Sequence, residues 1–77
     1  MAKLSELSPR SQAELLAVGG ERALRRRLME LGLLPGTLLR VVRRVDVGDV
    51  LEIEFRGCHL CLRRGDAARL EVRPARA

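Results

Sequence analysis

The stretch at residues 28–37, LMELGLLPGT, constrains the fold of this chain most, because it encodes the end of a helix and an immediate reversal. Gly32 follows the last apolar position of a helical pattern and can adopt the left-handed backbone conformation that ends a helix without a Cβ penalty. Leu33 is then placed to fold back on Leu28, the hydrophobic contact that accompanies such a cap. We therefore expect a capped helix whose last turn is closed by these two leucines.

The residues that follow predict a tight turn leading directly into a β-strand. Pro35 and Gly36 fit the two central positions of a type II turn, because proline presets a negative φ and glycine supplies a positive one. Thr37 is β-branched and opens a run rich in valine and leucine. The segment thus predicts a helix, a turn and a strand in direct succession.

Hydrophobic periodicity predicts one helix and about five short strands. The helix spans Glu21 to Leu31, with Leu24, Leu28 and Leu31 forming a narrow apolar stripe at i, i+4 and i+7. Strands are predicted at Gln12–Val18, Leu38–Val45, Val50–Arg56, His59–Arg63 and in a short final segment that holds Leu70 and Val72.

Alternation within these strands separates an inner face from an outer face. The inner residues are predicted to be Ala13, Leu15 and Ala17, then Leu51, Ile53 and Phe55, and then Leu60 and Leu62. Near the ends of the chain, Leu4 and Leu7 are expected to tether a polar lead-in, and Pro74 is expected to end the last strand. Residues 64–68 predict a single helical turn with Asp66 as its N-cap.

Size and composition limit the fold class. At 77 residues the chain is one domain near the lower size limit for a self-sufficient core. Hydrophobic residues make up 47% of it and Phe55 is its only aromatic residue, so the core must be aliphatic. A sheet that curls into a small barrel removes its exposed edges and suits this length. We predict a mainly β fold, a small barrel of about five strands with one inserted α-helix, forming a single domain over residues 1–77 with its core at about 12–73.

The chain is basic, with 15 Lys and Arg against 10 Asp and Glu and a formal net charge of +5. This excess suggests an anionic partner: nucleic acid, an anionic membrane face or an acidic protein surface. A solvated arginine-rich surface is the alternative. No apolar leader opens the chain, and no segment approaches the ~20 apolar residues of a membrane span. We therefore expect a cytoplasmic protein that is at most peripheral to a membrane.

Cys58, His59 and Cys61 are the candidate metal-ligating residues, because thiolate and imidazole bind zinc and ferrous iron. A tetrahedral site needs four ligands, however, and the chain has no second Cys/His pair. The odd separation of the two cysteines also sends them to opposite faces of one strand. The pattern favours a buried small residue at Cys58, a half-exposed thiol at Cys61 and no cofactor, with a bound transition metal as the alternative.

Motifs for catalysis and for nucleotide or nucleic-acid binding are weak in this sequence. His59 has no carboxylate and nucleophile evidently placed around it, and Glu52 and Glu54 are expected to pair with neighbouring arginines. The glycines at 19–20 precede a helix but lack the Lys-Ser/Thr of a P-loop. Base stacking lacks an aromatic platform because Phe55 faces the core, although arginines could hold phosphates nonspecifically. We expect a non-enzymatic protein, with a nucleic-acid-binding barrel as the rival function.

A series of short motifs runs in order along the chain. They are Leu28-x-x-Leu31-Gly32-Leu33-x-Pro35-Gly36-Thr37, then Val41-x-Arg43, Gly48-Asp49, Leu60-x-Leu62-Arg63 and Ala67-x-x-Leu70-x-Val72. From about Ala13 to Val72 this order resembles the FeoA family, small cytosolic proteins of bacterial ferrous iron uptake. The resemblance implies an SH3-like barrel and a partner, the membrane transporter FeoB, whose cytosolic portion carries a GTP-hydrolysing domain. The same module occurs in iron- and manganese-dependent repressors, so a stand-alone regulatory domain is a further alternative.

Docking to a protein is the predicted use of the surface. Arg22, Arg25 and Arg26 lie on the side of the helix away from its apolar stripe, as does Met29. Packing of Met29 against a loop is favoured over a docking contact. The partner-binding residues are predicted to be Arg22, Arg25, Arg26, Met29, Leu33, Leu34, Pro35 and Gly36. Whether docking assembles the transporter, gates it or modulates its GTPase is left open.

Overall fold

The computed structural model describes residues 2–75, which form six β-strands, one α-helix and two shorter helical turns. The strands are β1 (Ala2–Lys3), β2 (Gln12–Val18), β3 (Leu38–Val45), β4 (Val50–Phe55), β5 (Cys58–Arg63) and β6 (Leu70–Ala75). The helix α1 (Arg22–Glu30) follows β2, the single turn α2 (Arg64–Ala67) precedes β6, and a 3₁₀ turn (Leu4–Glu6) follows β1. The predicted bounds of β2 and β3 are confirmed, those of β4 and β5 differ by one residue at one end, and those of α1 differ by one residue at each end.

The strands join one antiparallel sheet in the order β1-β6-β2-β3-β4-β5. β2 and β3 pair directly, with Ala13 opposite Leu39, although α1 separates them in the chain. The described residues measure 28 × 27 × 24 Å, so the sheet is strongly curled, since a flat single-layer sheet would be far thinner in one direction. The mainly β fold with an inserted helix is confirmed, with six strands where about five were predicted.

One aliphatic core lies inside the curled sheet. Its buried members are Leu4, Leu7, Ala13, Leu15, Leu24, Leu28, Leu33, Leu39, Val41, Leu51, Ile53, Phe55, Leu62, Ala67, Leu70 and Val72. Leu4 and Leu7 confirm the predicted tethers, and they show that the core begins before residue 12. The alternation of β4 is also confirmed, because its three apolar inner residues are all buried.

A bulge in β2 corrects one predicted inner residue. Leu15 pairs with Val72 and Ala17 pairs with Glu71, so two steps along β2 oppose one step along β6. The extra residue reverses the alternation beyond it. Ala17 is therefore exposed, and Val18 packs against the core instead.

Two predictions near the C-terminus are also wrong. Asp66 lies inside α2 and the N-cap position belongs to Arg63, because the helical turn begins directly after β5. Pro74 does not end the last strand, since β6 runs to Ala75. Among the described residues β1 pairs with β6 as far as Val72, so that part of the structure leaves the outer edge of β6 free at Pro74, where a missing N–H is tolerated.

Candidate docking surface

Helix α1 has one side in the core and the other in solvent. Leu24 and Leu28 are its buried residues. On the opposite side an open groove is lined by Arg22, Arg25, Arg26, Met29 and Glu30. The structure thus brings together the four helical residues that were predicted to contact a partner.

A Schellman cap closes the C-terminus of α1, as the sequence predicts. Gly32 has a φ of +92°, and its N–H donates to the carbonyl of Met29 at 3.0 Å. The N–H of Leu33 donates to the carbonyl of Leu28 at 2.9 Å, and both leucines are fully buried. The reversal puts Leu33 in the core where Leu31 was predicted, so Leu31 is 49% exposed and that prediction is wrong.

The turn after the cap is bonded to the sheet. Gly36 has a φ of +94°, and the N–H of Thr37 donates to the carbonyl of Leu34 at 2.9 Å, which fits the predicted type II turn. The N–H of Leu34 donates in return to the buried Thr37 hydroxyl at 3.1 Å. Gly36 also donates to the carbonyl of Leu15 at 2.7 Å, and Leu15 donates to the carbonyl of Thr37 at 2.9 Å. The exposed part of the turn therefore has a rigid support.

Two predictions about this surface need correction. Leu33 is completely buried, so its side chain stabilises the cap and is not available to a partner, whereas Leu34, Pro35 and Gly36 are exposed. Met29 was expected to pack against a loop, but 57% of it is exposed, because no element within residues 2–75 covers the outer side of α1 there. The available surface consists of Arg22, Arg25, Arg26 and Met29 on the helix, with Leu34, Pro35 and Gly36 on the turn.

The arginines of α1 differ from most basic side chains of the sheet in having no acidic partner. Within residues 2–75, Arg22, Arg25 and Arg26 form no ion pair. Ion pairs elsewhere join Lys3 to Glu71, Arg40 to Glu54, Arg43 to Glu52, Arg73 to Glu14 and Arg64 to Asp49. The sheet thus neutralises much of its own charge, and the outer side of α1 does not.

The outer face of β3, β4 and β5 carries a connected charge network that sequence reasoning found only in part. The predicted pairing of Glu52 and Glu54 with arginines is confirmed. His59 also lies between the two carboxylates, with Nδ1 3.1 Å from Glu52 and Nε2 3.2 Å from Glu54. The hydrogen bonds of Arg43 and then of His59 lower the pKa of Glu52 below its ordinary value. The signal for this network is the register of the β4–β5 hairpin, which sets Glu54 opposite His59.

The three predicted metal ligands do not converge. Cys58 and Cys61 are both exposed free thiols, so the expectation of a buried Cys58 is wrong. Alternation places Cys58 on the inner face opposite Phe55, but it is the first residue of β5, at the end of the hairpin where the core does not reach it. His59 is directed at carboxylates instead of thiols. Across residues 2–75, no group of three or more His, Cys, Asp and Glu side chains has an arrangement that could hold a metal ion.

None of the helices within residues 2–75 has the length and apolar character needed to cross a membrane.

Comparison with known proteins identifies the family. The family model for the FeoA domain matches residues 2–74. Over 70 residues the chain is 34% identical to the Fe(2+) transport protein A/Fe(2+) transporter FeoB fusion protein of Porphyromonas gingivalis. This alignment covers 91% of this chain but only 8% of the much longer relative. The solution structure of the FeoA protein from Chlorobium tepidum is 43% identical with a TM-score of 0.88, covering 94% of this chain and 69% of that one. Stenotrophomonas maltophilia FeoA, crystallised with zinc and described as an SH3 domain protein, is 31% identical with a TM-score of 0.81, covering 95% and 91% of the two chains. The chain therefore belongs to the FeoA family and has the SH3-like fold of its members.

Proposed function

We propose that this chain is a non-enzymatic, cytoplasmic accessory protein of ferrous iron uptake that docks to the cytosolic region of a FeoB-type transporter. The observation that carries the proposal is the Porphyromonas gingivalis relative, in which a similar FeoA segment and the transporter FeoB are one polypeptide. Fusion holds two modules at a high effective concentration, which favours modules that act on each other. The Stenotrophomonas maltophilia relative is described as a candidate activating factor for ferrous iron transport, which agrees with an accessory role.

The docking surface in this proposal is the outer side of α1 together with the adjoining turn. Arginine and methionine are enriched in protein interfaces, and both residue types are exposed here. The hydrogen bonds between Leu15, Gly36 and Thr37 hold the turn in place before a partner arrives. Such preorganisation reduces the entropy lost on association.

Nucleic-acid binding remains the rival use of the same arginines. Unpaired arginines bind phosphates without regard to sequence, and this binding weakens steeply with salt. The one aromatic residue of the chain, Phe55, is buried, so it offers no platform for stacking bases. We therefore place protein docking ahead of RNA binding.

A binding titration tests the proposal. The full chain is titrated by calorimetry against the purified cytosolic region of the FeoB-type transporter from the same organism, at low and at moderate salt. An unrelated SH3-like barrel of equal net charge serves as the control. Saturable binding above that control is expected. Binding no stronger than the control at both salt concentrations, or a higher affinity for single-stranded RNA than for the transporter region, would exclude the proposal.

A further inference from the structure

We propose that the outer side of α1 recognises an acidic amphipathic helix, with carboxylates facing Arg22, Arg25 and Arg26 and an apolar side chain resting on Met29. This inference deepens the proposed function, on which it rests, because it states the chemistry of the segment that the transporter would present.

The first argument is the uneven neutralisation of charge. On the sheet, Arg40, Arg43 and Arg73 each bond a glutamate at 2.7–3.1 Å, so these positive charges already have partners. On α1, three arginines line one open groove, and, like Arg10, Arg56 and Arg63 elsewhere, they have no ion pair within residues 2–75. The field on this side of the molecule is therefore complementary to an acidic surface.

The second argument is that the arginines do not serve the helix itself. α1 has no acidic residue in its first turn beyond the N-cap Glu21, and it begins with Arg22, where a positive charge opposes the helix dipole. Arg22 also faces Arg25 at i+3 and Arg26 at i+4, and like charges at these spacings destabilise a helix, an effect that Glu21 and Glu30 at i, i+4 from Arg25 and Arg26 offset only in part. A facing row of carboxylates would relieve both effects, so binding such a row is favoured by the whole cluster.

The third argument is the shape and spacing of the groove. Arg22, Arg26 and Met29 follow one another at i, i+4 and i+7, so they form a row along a helix that is roughly 14 Å long. A second helix packed alongside presents its own side chains at the same spacing. Methionine adapts its shape to an apolar neighbour, which suits Met29 as the one apolar contact within a ring of charge.

Glu30 distinguishes a polypeptide from a phosphate-rich partner. Its carboxylate borders the same groove as the arginines. It would weaken the attraction of the groove for a lipid headgroup layer or a nucleic-acid backbone, whereas a helix can place a lysine opposite it. The groove itself has one exposed apolar residue, Met29, and the few apolar side chains exposed beside it, Leu31 and Leu34, do not make the broad apolar face that membrane insertion requires. The occupant to which these observations point is therefore an acidic helix with a basic residue near one end.

The test uses full-length protein and two matched triple variants. Arg22→Glu, Arg25→Glu and Arg26→Glu reverse the charge of the groove. Arg10→Glu, Arg56→Glu and Arg63→Glu change the net charge equally at exposed positions that lie off α1 and have no ion pair within residues 2–75. Circular dichroism and thermal melting establish that each variant is folded, and the single variant Arg25→Glu replaces the groove triple if that triple is not.

Two probes are titrated against each protein by fluorescence anisotropy. One is the transporter's cytosolic region, and the other is a helical peptide of about 18 residues with glutamates and one leucine on a single face and a lysine near one end. A peptide of the same composition in scrambled order is its control. We expect the groove triple to bind both probes at least roughly tenfold more weakly than the parent, because its attraction to the probes' carboxylates becomes repulsion. The other triple should bind both probes within about twofold of the parent's affinity. We expect the scrambled peptide to bind the parent protein as weakly as it binds the groove triple.

The outcomes separate this inference from the proposed function. If the parent binds the transporter region and the groove triple binds it equally well, docking stands and the acidic-helix inference is overturned. If the parent binds the ordered acidic peptide through α1 but not the transporter region, the inference stands and the proposed function fails. Equal weakening in both triples, or equal affinity for ordered and scrambled peptides, overturns the inference because only net charge would then matter.

Discussion

Charged side chains on the outer face of β3, β4 and β5 pair with one another. Arg40 donates to Glu54 at 2.9 Å, Arg43 donates to Glu52 at 2.7 Å, and His59 lies within 3.2 Å of both carboxylates. Each exposed pair adds little to stability because water screens it, but together they leave few free charges on this face. The sheet face is therefore a poor candidate for recognition by charge, in contrast to the outer side of α1.

At this scale we predict that Glu52 makes the stability of the protein depend on acidic pH. Its pKa is lowered from 4.5 by Arg43 and then by His59, so the folded state holds the carboxylate charged more strongly than the unfolded state does. The contribution is present above the unfolded pKa and is lost as the pH falls through the lower folded pKa. The gap in unfolding free energy between the parent and Glu52→Gln should thus be largest above pH 4.5 and should shrink below it.

Urea unfolding at several pH values between neutral and strongly acidic checks this prediction. Glu30→Gln, which also removes one negative charge but at a residue with no ion pair within residues 2–75, is the control. A gap for Glu52→Gln that does not change with pH would show that Glu52 has the same pKa in the folded and unfolded states.

At the scale of elements, α1, its cap and the following turn act as one unit. The cap places Leu33 beside Leu28 in the core, and the turn carries the chain into β3 with two backbone hydrogen bonds to Leu15 of β2. The helix is therefore held at its C-terminal end by the sheet and along its length by buried leucines. Its outer side has no structural task.

We predict very different costs for two leucines three residues apart. Leu28→Ala should lower the unfolding free energy by about 2–5 kcal/mol, because Leu28 is completely buried and its loss leaves a cavity. Leu31→Ala should cost less than about 1 kcal/mol, because this side chain is 49% exposed at the helix end. Urea denaturation of both variants measures the difference. Equal costs would mean that the helix continues through Leu31 and that its apolar stripe includes it.

Local rules predicted this unit well because its signals lie within a few neighbouring residues. Gly32 and Gly36 both have the positive φ that their positions required, and the helix bounds were off by one residue at each end. Periodicity failed to predict the features that depend on residues distant in the sequence. The bulge that exposes Ala17 depends on pairing with β6, and β1 is two residues long, too short to show a pattern.

The docking surface was predicted in the same partial way. Arg22, Arg25, Arg26 and Met29 were placed correctly on the outer side of α1, because helical spacing alone sets them opposite the buried leucines. Leu33 was assigned to two tasks that exclude each other, closing the cap and contacting a partner, and burial decides for the first. The exposure of Met29 could not be derived, because it depends on no loop crossing that side of the helix. Whether this surface binds a partner stays a prediction.

At the scale of the whole molecule, the core extends to the first residues of the chain. Leu4 is fully buried and Leu7 is 7% exposed, and β1 pairs with β6 next to them. Arg44 adds a link by donating hydrogen bonds to the carbonyls of Ser5 and Leu7. In a domain this small each buried leucine is a large share of the core.

We predict that the N-terminal segment is required for stable folding. The double variant Leu4→Ala, Leu7→Ala should lose roughly 4 kcal/mol or more of unfolding free energy, which approaches the whole stability of a domain of this size. The matched variant Lys3→Ala, Glu6→Ala changes exposed residues of the same segment and should remain near the parent. Thermal unfolding followed by circular dichroism distinguishes them, and similar melting temperatures for the two variants would contradict the prediction.

The direct pairing of β2 with β3 has a consequence for how such a domain can diverge. Because Ala13 sits opposite Leu39 whatever lies between them in the chain, the helix is an insert whose outward residues take part in no strand ladder. Mutations there can accumulate without altering the scaffold. Related proteins can therefore keep one barrel while each adapts this patch to its own partner.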